Sequence, residues 1–279
     1  MTEPVRRALQ REDSPASRSR EPEDSEPILL ERWVERPDGR REQLLVPLTP
    51  EDYLNPRFGD KWLQGRIHSE QTPDVADRLR RWFRLRPEIL VLNDVQHRLG
   101  PGFPNPSPDI SVIQGARHPD SNLSTFDVVK QGVVPRMIIE MISPRDRRIR
   151  EVDEIDKVVL YQRVGVPEYL MVRLPRRRER YGISGYRLDQ AGVYQPIMPG
   201  EQGRLLSETT GLWFAVTPAG DGLVIHDAAT GKLLRASKEE EEGREAAEAK
   251  AATEAEARQI AETEIARLRA EIERLRGGG

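Results

Sequence analysis

The chain has 279 residues, 37% hydrophobic and 33% charged, with no cysteine, which excludes disulfides, thiolate zinc sites and cysteine nucleophiles. No run of about 18 apolar residues exists, and this excludes a conventional helical membrane span. The net charge of −3 divides into −2 for residues 1–26, −4 for 237–279 and +3 for 27–236, a balance that accommodates an anionic partner but is far from that of a dedicated nucleic-acid binder.

Residues 1–27 lack the apolar segment of a signal peptide and read as a disordered leader, so a cytoplasmic protein is the simplest expectation. Short apolar runs follow, broken by a Pro37-Asp38-Gly39 turn signal. Thr49-Pro50-Glu51-Asp52 predicts an N-cap with proline at the first helical position. From His68 to Leu85 the spacing of Val75, Leu79, Trp82 and Phe83 predicts an amphipathic helix packed on the core.

Three strands are predicted next, over 89–99, 108–116 and 136–143. The third, RMIIEMIS, is apolar except for Glu140, as expected of a central strand buried on both faces. A helix from about Glu151 to Val164 should stop at Gly165, with Pro167 just beyond. GVPEYLMVRL then returns as a strand, and strand–helix–strand of this length implies a right-handed crossover and a parallel pair. From Pro175 short antiparallel strands are expected, and two further strand-like pieces before Leu234 belong either to the edge of the same sheet or to a small appended one. Residues 237–279 predict a charged helical tail. There Ala261, Ile265, Leu268, Ile272 and Leu275 are spaced 4, 3, 4, 3, a short heptad seam that offers a coiled coil and a homo-oligomer, with a solvated single helix as the alternative.

The chemistry is expected from two carboxylates 31 positions apart, Asp109 and Glu140. Neighbouring strands can bring such groups together, and at that distance one carboxyl stays protonated unless a cation lies between them. Oxygen donors of this kind suit Mg2+ or Mn2+, which can polarise a phosphoryl oxygen and acidify a water. Asp109 also reads as a turn residue after Pro108, and Glu140 as the ion-pair partner of Arg136, Arg145 or Arg150. Lys157 projects into the apolar sector of its helix with Asp153 four residues earlier. It reads either as a snorkelling lysine held by Asp153 or as a cation aimed at the site.

The segments PDISVI (108–113), RMIIEMISP (136–144) and DEIDKVVLYQRVGVPEYLMV (153–172) resemble the putative restriction endonuclease family, formerly a domain of unknown function, of the PD-(D/E)XK nuclease superfamily. The resemblance runs from about Leu45 to Leu234. It implies an α/β fold, a restriction-endonuclease-like mixed central sheet flanked by helices, occupying 28–236. It also implies phosphodiester hydrolysis, with DNA as the expected nucleic-acid partner. Asp109 matches the motif Asp and Glu140 the motif Glu, with the backbone carbonyl of Met141 as a third metal donor. Ile142 stands two residues after the glutamate, where the superfamily places lysine; the family instead carries lysine on the following helix, at the place of Lys157. Arg173 replaces an acidic residue found in many relatives. His68, which resembles a family histidine, and Arg145 and Arg148 in the basic turn are candidate substrate contacts. For His68 a helix-start cap is the alternative, and for the two arginines a solvated basic turn. The resemblance also implies a further acidic ligand near the N-terminal helix; none is assigned, and Glu51 and Glu70 are candidates. Two other functions stay open: a nuclease fold that binds nucleic acid or a protein without cutting, and a structural protein assembled through the tail.

Overall fold

A computed structural model describes residues 26–117, 123–176 and 179–239, together with Lys250, Thr253, Glu254 and Arg258. The expected leader therefore lies almost wholly outside the described residues. Leu29–Glu35 (β1) and Arg41–Pro47 (β2) pair antiparallel across the Pro37-Asp38-Gly39 turn, where Gly39 takes φ +78°. Pro50–Leu54 (α1) begins as expected, with Thr49 Oγ1 accepting the Asp52 N–H at 3.1 Å. Lys61–Trp62 (β3) joins the other edge of β1.

Arg66–Phe83 (α2) starts two residues earlier than predicted and buries Val75, Ala76, Leu79 and Phe83 along one face. The predicted strand 89–99 is divided. Ile89–Asn93 (β4) ends where Asp94 turns to φ +53°, a left-handed conformation that breaks the pleat. Gln96–Arg98 (β5) leaves the sheet and pairs parallel with Thr125–Asp127 (β7). Between them comes Ile110–Gln114 (β6); after β7 follow Val128–Gln131 (α3) and Met137–Ile142 (β8).

The crossover also differs from the single helix expected. Arg147–Glu151 (α4) passes into a π-helical turn, Val152–Asp156, before Lys157–Val164 (α5) resumes α geometry. Gly165, at φ +85°, ends the helix in the left-handed cap its position predicted. Glu168–Arg173 (β9), Gly182–Leu188 (β10) and Tyr194–Pro196 (β11) complete a six-stranded mixed sheet in the order β11-β10-β9-β8-β6-β4. Its parallel pair is β8–β9, joined by the crossover. The later pieces are three strands rather than two, Leu205–Ser207 (β12), Leu212–Val216 (β13) and Leu223–Asp227 (β14), and they form their own antiparallel sheet.

Because side chains alternate along a strand, β8 sends Met137, Ile139 and Met141 to one face and Ile138 and Ile142 to the other. The first face packs on Val75, Leu79 and Phe83 of α2 and on Leu212, Phe214 and Ile225 of the small sheet. The second packs on Val158, Leu160 and Tyr161 of α5. All six β8 residues are buried. Glu140 is in phase with Ile138 and Ile142, so the pleat aims it at α5. A third cluster joins Ile28, Leu30, Leu48 and Tyr53 to Ile149 and Val152, seating the N-terminal hairpin on the start of the crossover.

Arg235–Gly279 forms a second compact unit. Its described positions from 237 onward are helical, and Lys250 pairs with Glu254 one turn later at 3.9 Å. The heptad seam of 261–275 lies outside the described residues. Among the described residues no helix is long and apolar enough to cross a membrane.

Candidate active site

The site lies at the end of β6 and β8 under the hairpin module. The β6–β8 register pairs Ile110 with Ile139, and one step further sets Asp109 opposite Glu140. Two contacts join them there: the Met141 N–H donates to Asp109 Oδ2 at 2.6 Å, and the Asp109 N–H to Glu140 Oε2 at 3.3 Å. An extended residue presents its N–H and C=O to the same edge, so the Met141 carbonyl also faces the Asp109 side.

From the opposite layer, Lys157 places Nζ 2.8 Å from Glu140 Oε1 and 2.9 Å from Asp153 Oδ1. The π-helical turn ends immediately before Lys157 and holds Asp153, so both side chains point inward, four residues apart. The Glu140 partner is therefore a lysine, and none of the arginines considered for it: Arg136 donates to Gln114, Arg150 faces Glu154 and Arg145 pairs with Glu26. Three tyrosines close the polar cluster. Tyr161 donates to Glu140 Oε1 at 3.2 Å, Tyr169 to the Asp153 carbonyl at 2.9 Å, and Tyr53 to Asp153 Oδ2 at 3.4 Å. The Tyr53 ring also lies 4.1 Å from Lys157 Nζ, a cation–π contact.

His68 is not a helix cap. Gly65 holds that position, and His68 instead directs Nε2 at Asp109 Oδ1, 3.2 Å away. Burial alone would lower its pKa, but the Asp109 charge and hydrogen bond outweigh burial and raise it to about 9. Burial likewise opposes the Asp109 charge, yet His68, Lys157 and the Met141 N–H hold that carboxyl below its ordinary value. Glu140 and Asp153 are both pushed up, because burial is only partly offset by the one lysine they share. Burial would also discharge Lys157, but Asp153, Glu140 and Asp109 more than compensate and keep it protonated.

The other candidates lie further out. Arg145 lines a cavity of about 30 Å3 with His68, Met141 and Asp153. That space suits a water or two and excludes a nucleotide. Arg148 pairs with the buried Asp146, whose Oδ1 also accepts the Arg148 N–H, so it holds the turn. Glu51 bonds Asn55 and Glu70 pairs with Arg66 at the surface, so neither joins the site. The acidic neighbour the sequence did not indicate is Asp94. Its N–H lies 3.2 Å from the Asp109 carbonyl, and burial followed by the Asp109 charge pushes its carboxyl up to about 6 although it meets solvent. Asn93-Asp94 signals only the turn, as a pair that tolerates left-handed backbone, and not the proximity to Asp109. For Tyr53 and Tyr161 the available signal was aromatic rings on buried helical faces, whose hydroxyls need partners.

Among the described residues, no three His, Asp or Glu side chains are arranged to hold a metal ion by themselves. Asp109, Glu140 and the Met141 carbonyl nevertheless match what Mg2+ or Mn2+ takes from a protein, with water and substrate phosphate supplying the remainder. Among the described residues, Lys157 and His68 are the cations that act most strongly on the four carboxylates Asp94, Asp109, Glu140 and Asp153, so the surroundings favour added positive charge.

A family model described as Uma2, putative restriction endonuclease, matches residues 62–218. Among solved structures, a putative nuclease belonging to DUF820 from Anabaena variabilis is 15% identical over 57% of this chain and 78% of that one. The TM-score between the two is 0.29. No curated protein matches the sequence significantly.

Proposed function

The chain belongs to the Uma2 family of putative restriction endonucleases, and from that footing we propose that it is a metal-dependent endonuclease hydrolysing phosphodiester bonds in DNA. One observation carries this: Asp109 and Glu140 meet across β6 and β8 with Lys157 Nζ 2.8 Å from Glu140. Asp109, Glu140 and the Met141 carbonyl would hold Mg2+ or Mn2+. Bound there, the ion would supply Lewis-acid polarisation of a phosphoryl oxygen and acidification of a water.

The residues of the chain divide the remaining work. Asp109 stays ionised at neutral pH and anchors the charge balance. Lys157 keeps its proton and, beside Glu140, can orient an attacking water and offset charge developing on the phosphoryl oxygens. His68, whose Nε2 lies 3.2 Å from Asp109 Oδ1, would position that carboxylate and can meet a phosphate oxygen on the same side.

Plasmid nicking by the full chain in Mg2+, Mn2+ or EDTA tests this. Asp109→Asn and Glu140→Gln should each lower metal-dependent nicking by roughly 100-fold or more, with thermal unfolding confirming that each variant folds. Unchanged nicking by Glu140→Gln would sink the assignment. A second function is favoured by the complete burial of Glu140 and Lys157 under Tyr53: a nuclease fold that binds nucleic acid or a protein without cutting. Titration calorimetry separates the two, since absence of Mg2+ and Mn2+ binding at millimolar metal would favour the module that does not cut.

A further inference from the structure

Beside the buried cluster runs a groove of about 400 Å3, between the loop before β3 and the segments around Asp94, Ser107 and Thr125. Asp94 is common to the groove and to the surroundings of Asp109. A space of this size is that of a small-ligand pocket, and it is wider and more open to the surface than the 30 Å3 cavity.

The groove wall is a rigid turn carrying an aromatic ring that the fold does not use. Asp60 Oδ2 accepts the Arg57 N–H and the Asp60 N–H returns to the Arg57 carbonyl, both at 3.0 Å. Asp60 is in turn gripped by Arg32, at 2.9 Å from Nε and 2.5 Å from Nη2. Phe58, on this pinned turn, is fully exposed, although a phenylalanine gains nothing from water. Arg57 and Lys61 flank it, both exposed, and neither forms an ion pair with a described residue. Trp62, fixed edge-on against Tyr53 at 5.7 Å, lines the same groove.

An exposed ring flanked along the chain by two exposed cations, all three lining a one-ligand groove, matches an unpaired nucleotide: the base stacks on the ring and its phosphates meet the cations. A base pair in the interior of a duplex is stacked on both faces and offers none to the ring. We propose that Arg57, Phe58 and Lys61 form a platform for a single-stranded nucleotide, so that the enzyme engages unpaired or locally opened DNA next to the site. The substrate class rests on the nuclease function proposed above; the platform itself is read by binding alone.

Fluorescence anisotropy of the full chain with a labelled thymidine 20-mer, the matching ribo-oligomer and a blunt duplex, all in EDTA, tests it. The single-stranded DNA should bind more tightly than the duplex. Phe58→Ala should weaken single-strand binding about 10-fold, within the range for loss of one stacked base, and Phe58→Tyr should restore it. Thermal unfolding should not move, since Phe58 supports no packing. Arg57→Ala with Lys61→Ala should reduce the salt slope by about 1.4, the value for two single-strand phosphates. Equal affinity for wild type and Phe58→Ala, or equal affinity for strand and duplex, overturns the platform. Equal affinity for the ribo-oligomer keeps the platform and widens its ligand to any unpaired nucleotide. If the platform behaves as stated while Glu140→Gln nicks like wild type, the catalytic assignment alone fails. If Glu140→Gln is inactive and Phe58→Ala binds normally, the platform alone fails.

Discussion

Replacing Lys157 with methionine keeps the length of the side chain and removes the one cation between Glu140 and Asp153. In the wild type that ammonium lies 2.8 and 2.9 Å from the two carboxylates, and all three side chains are 0–3% exposed. Removing one partner from a buried ion pair costs about 3–5 kcal/mol, because the remaining charge is left without compensation. For a domain of this size that corresponds to a fall of roughly 6–20 °C in Tm. The loss should depend on pH. Glu140 and Asp153 already have raised pKa values from burial, and both rise further without the lysine. A carboxyl raised on folding stabilises the native state fully only below its unfolded pKa of about 4, and that contribution disappears as pH climbs through the folded value. The deficit of Lys157→Met should therefore grow from pH 5 to pH 8. Urea unfolding at both pH values, without metal, measures it directly. A deficit under about 1 kcal/mol, or one equal at the two pH values, would refute the description of Lys157 as the counter-ion of two buried carboxylates.

His68, raised from 6.5 to about 9 in the metal-free protein, contributes stability that is complete below about pH 6.5 and lost as pH rises through 9. That shift is worth about 3 kcal/mol, and an NMR titration of the histidine ring in EDTA should show the high pKa in wild type and its collapse in Asp109→Asn; a wild-type value below 7 would contradict the contact. Gly185→Ala should destabilise by about 1–3 kcal/mol in urea, because an added Cβ would lie 2.5 Å from Leu170 Cδ2 and 2.9 Å from the Tyr169 carbonyl oxygen.

Much of this architecture follows from local sequence. The unbroken apolar run of 137–142 fixes β8 as a strand buried on both faces, and Gly165 ends the crossover because it alone tolerates the left-handed cap there. Thr49-Pro50 opens α1, and the Glu140 misfit marks the strand on which the proposed chemistry rests. Asp153 four residues before Lys157 gives the pairing by helical periodicity, since an i,i+4 spacing keeps those side chains on one face.

Long-range placement decided the rest. No local pattern distinguishes Asp94 as a turn residue from Asp94 as the neighbour of Asp109, since the proximity comes from the antiparallel return of β6 beside β4. The π-helical turn is silent in a sequence whose apolar spacing suits an ordinary helix, yet it separates α4 from α5 just before Lys157. Tyr53 lies 100 residues from Asp153 and reaches it only because the hairpin packs on the crossover. The sequence alone marked Glu140 and Lys157 as charge carried into an apolar interior, because an ionised group in an apolar run or sector is costly to bury wherever it occurs. Only the tertiary structure decided that the lysine meeting Glu140 comes from the crossover and is roofed by Tyr53, because such contacts depend on the packing of distant segments and leave no period in the chain.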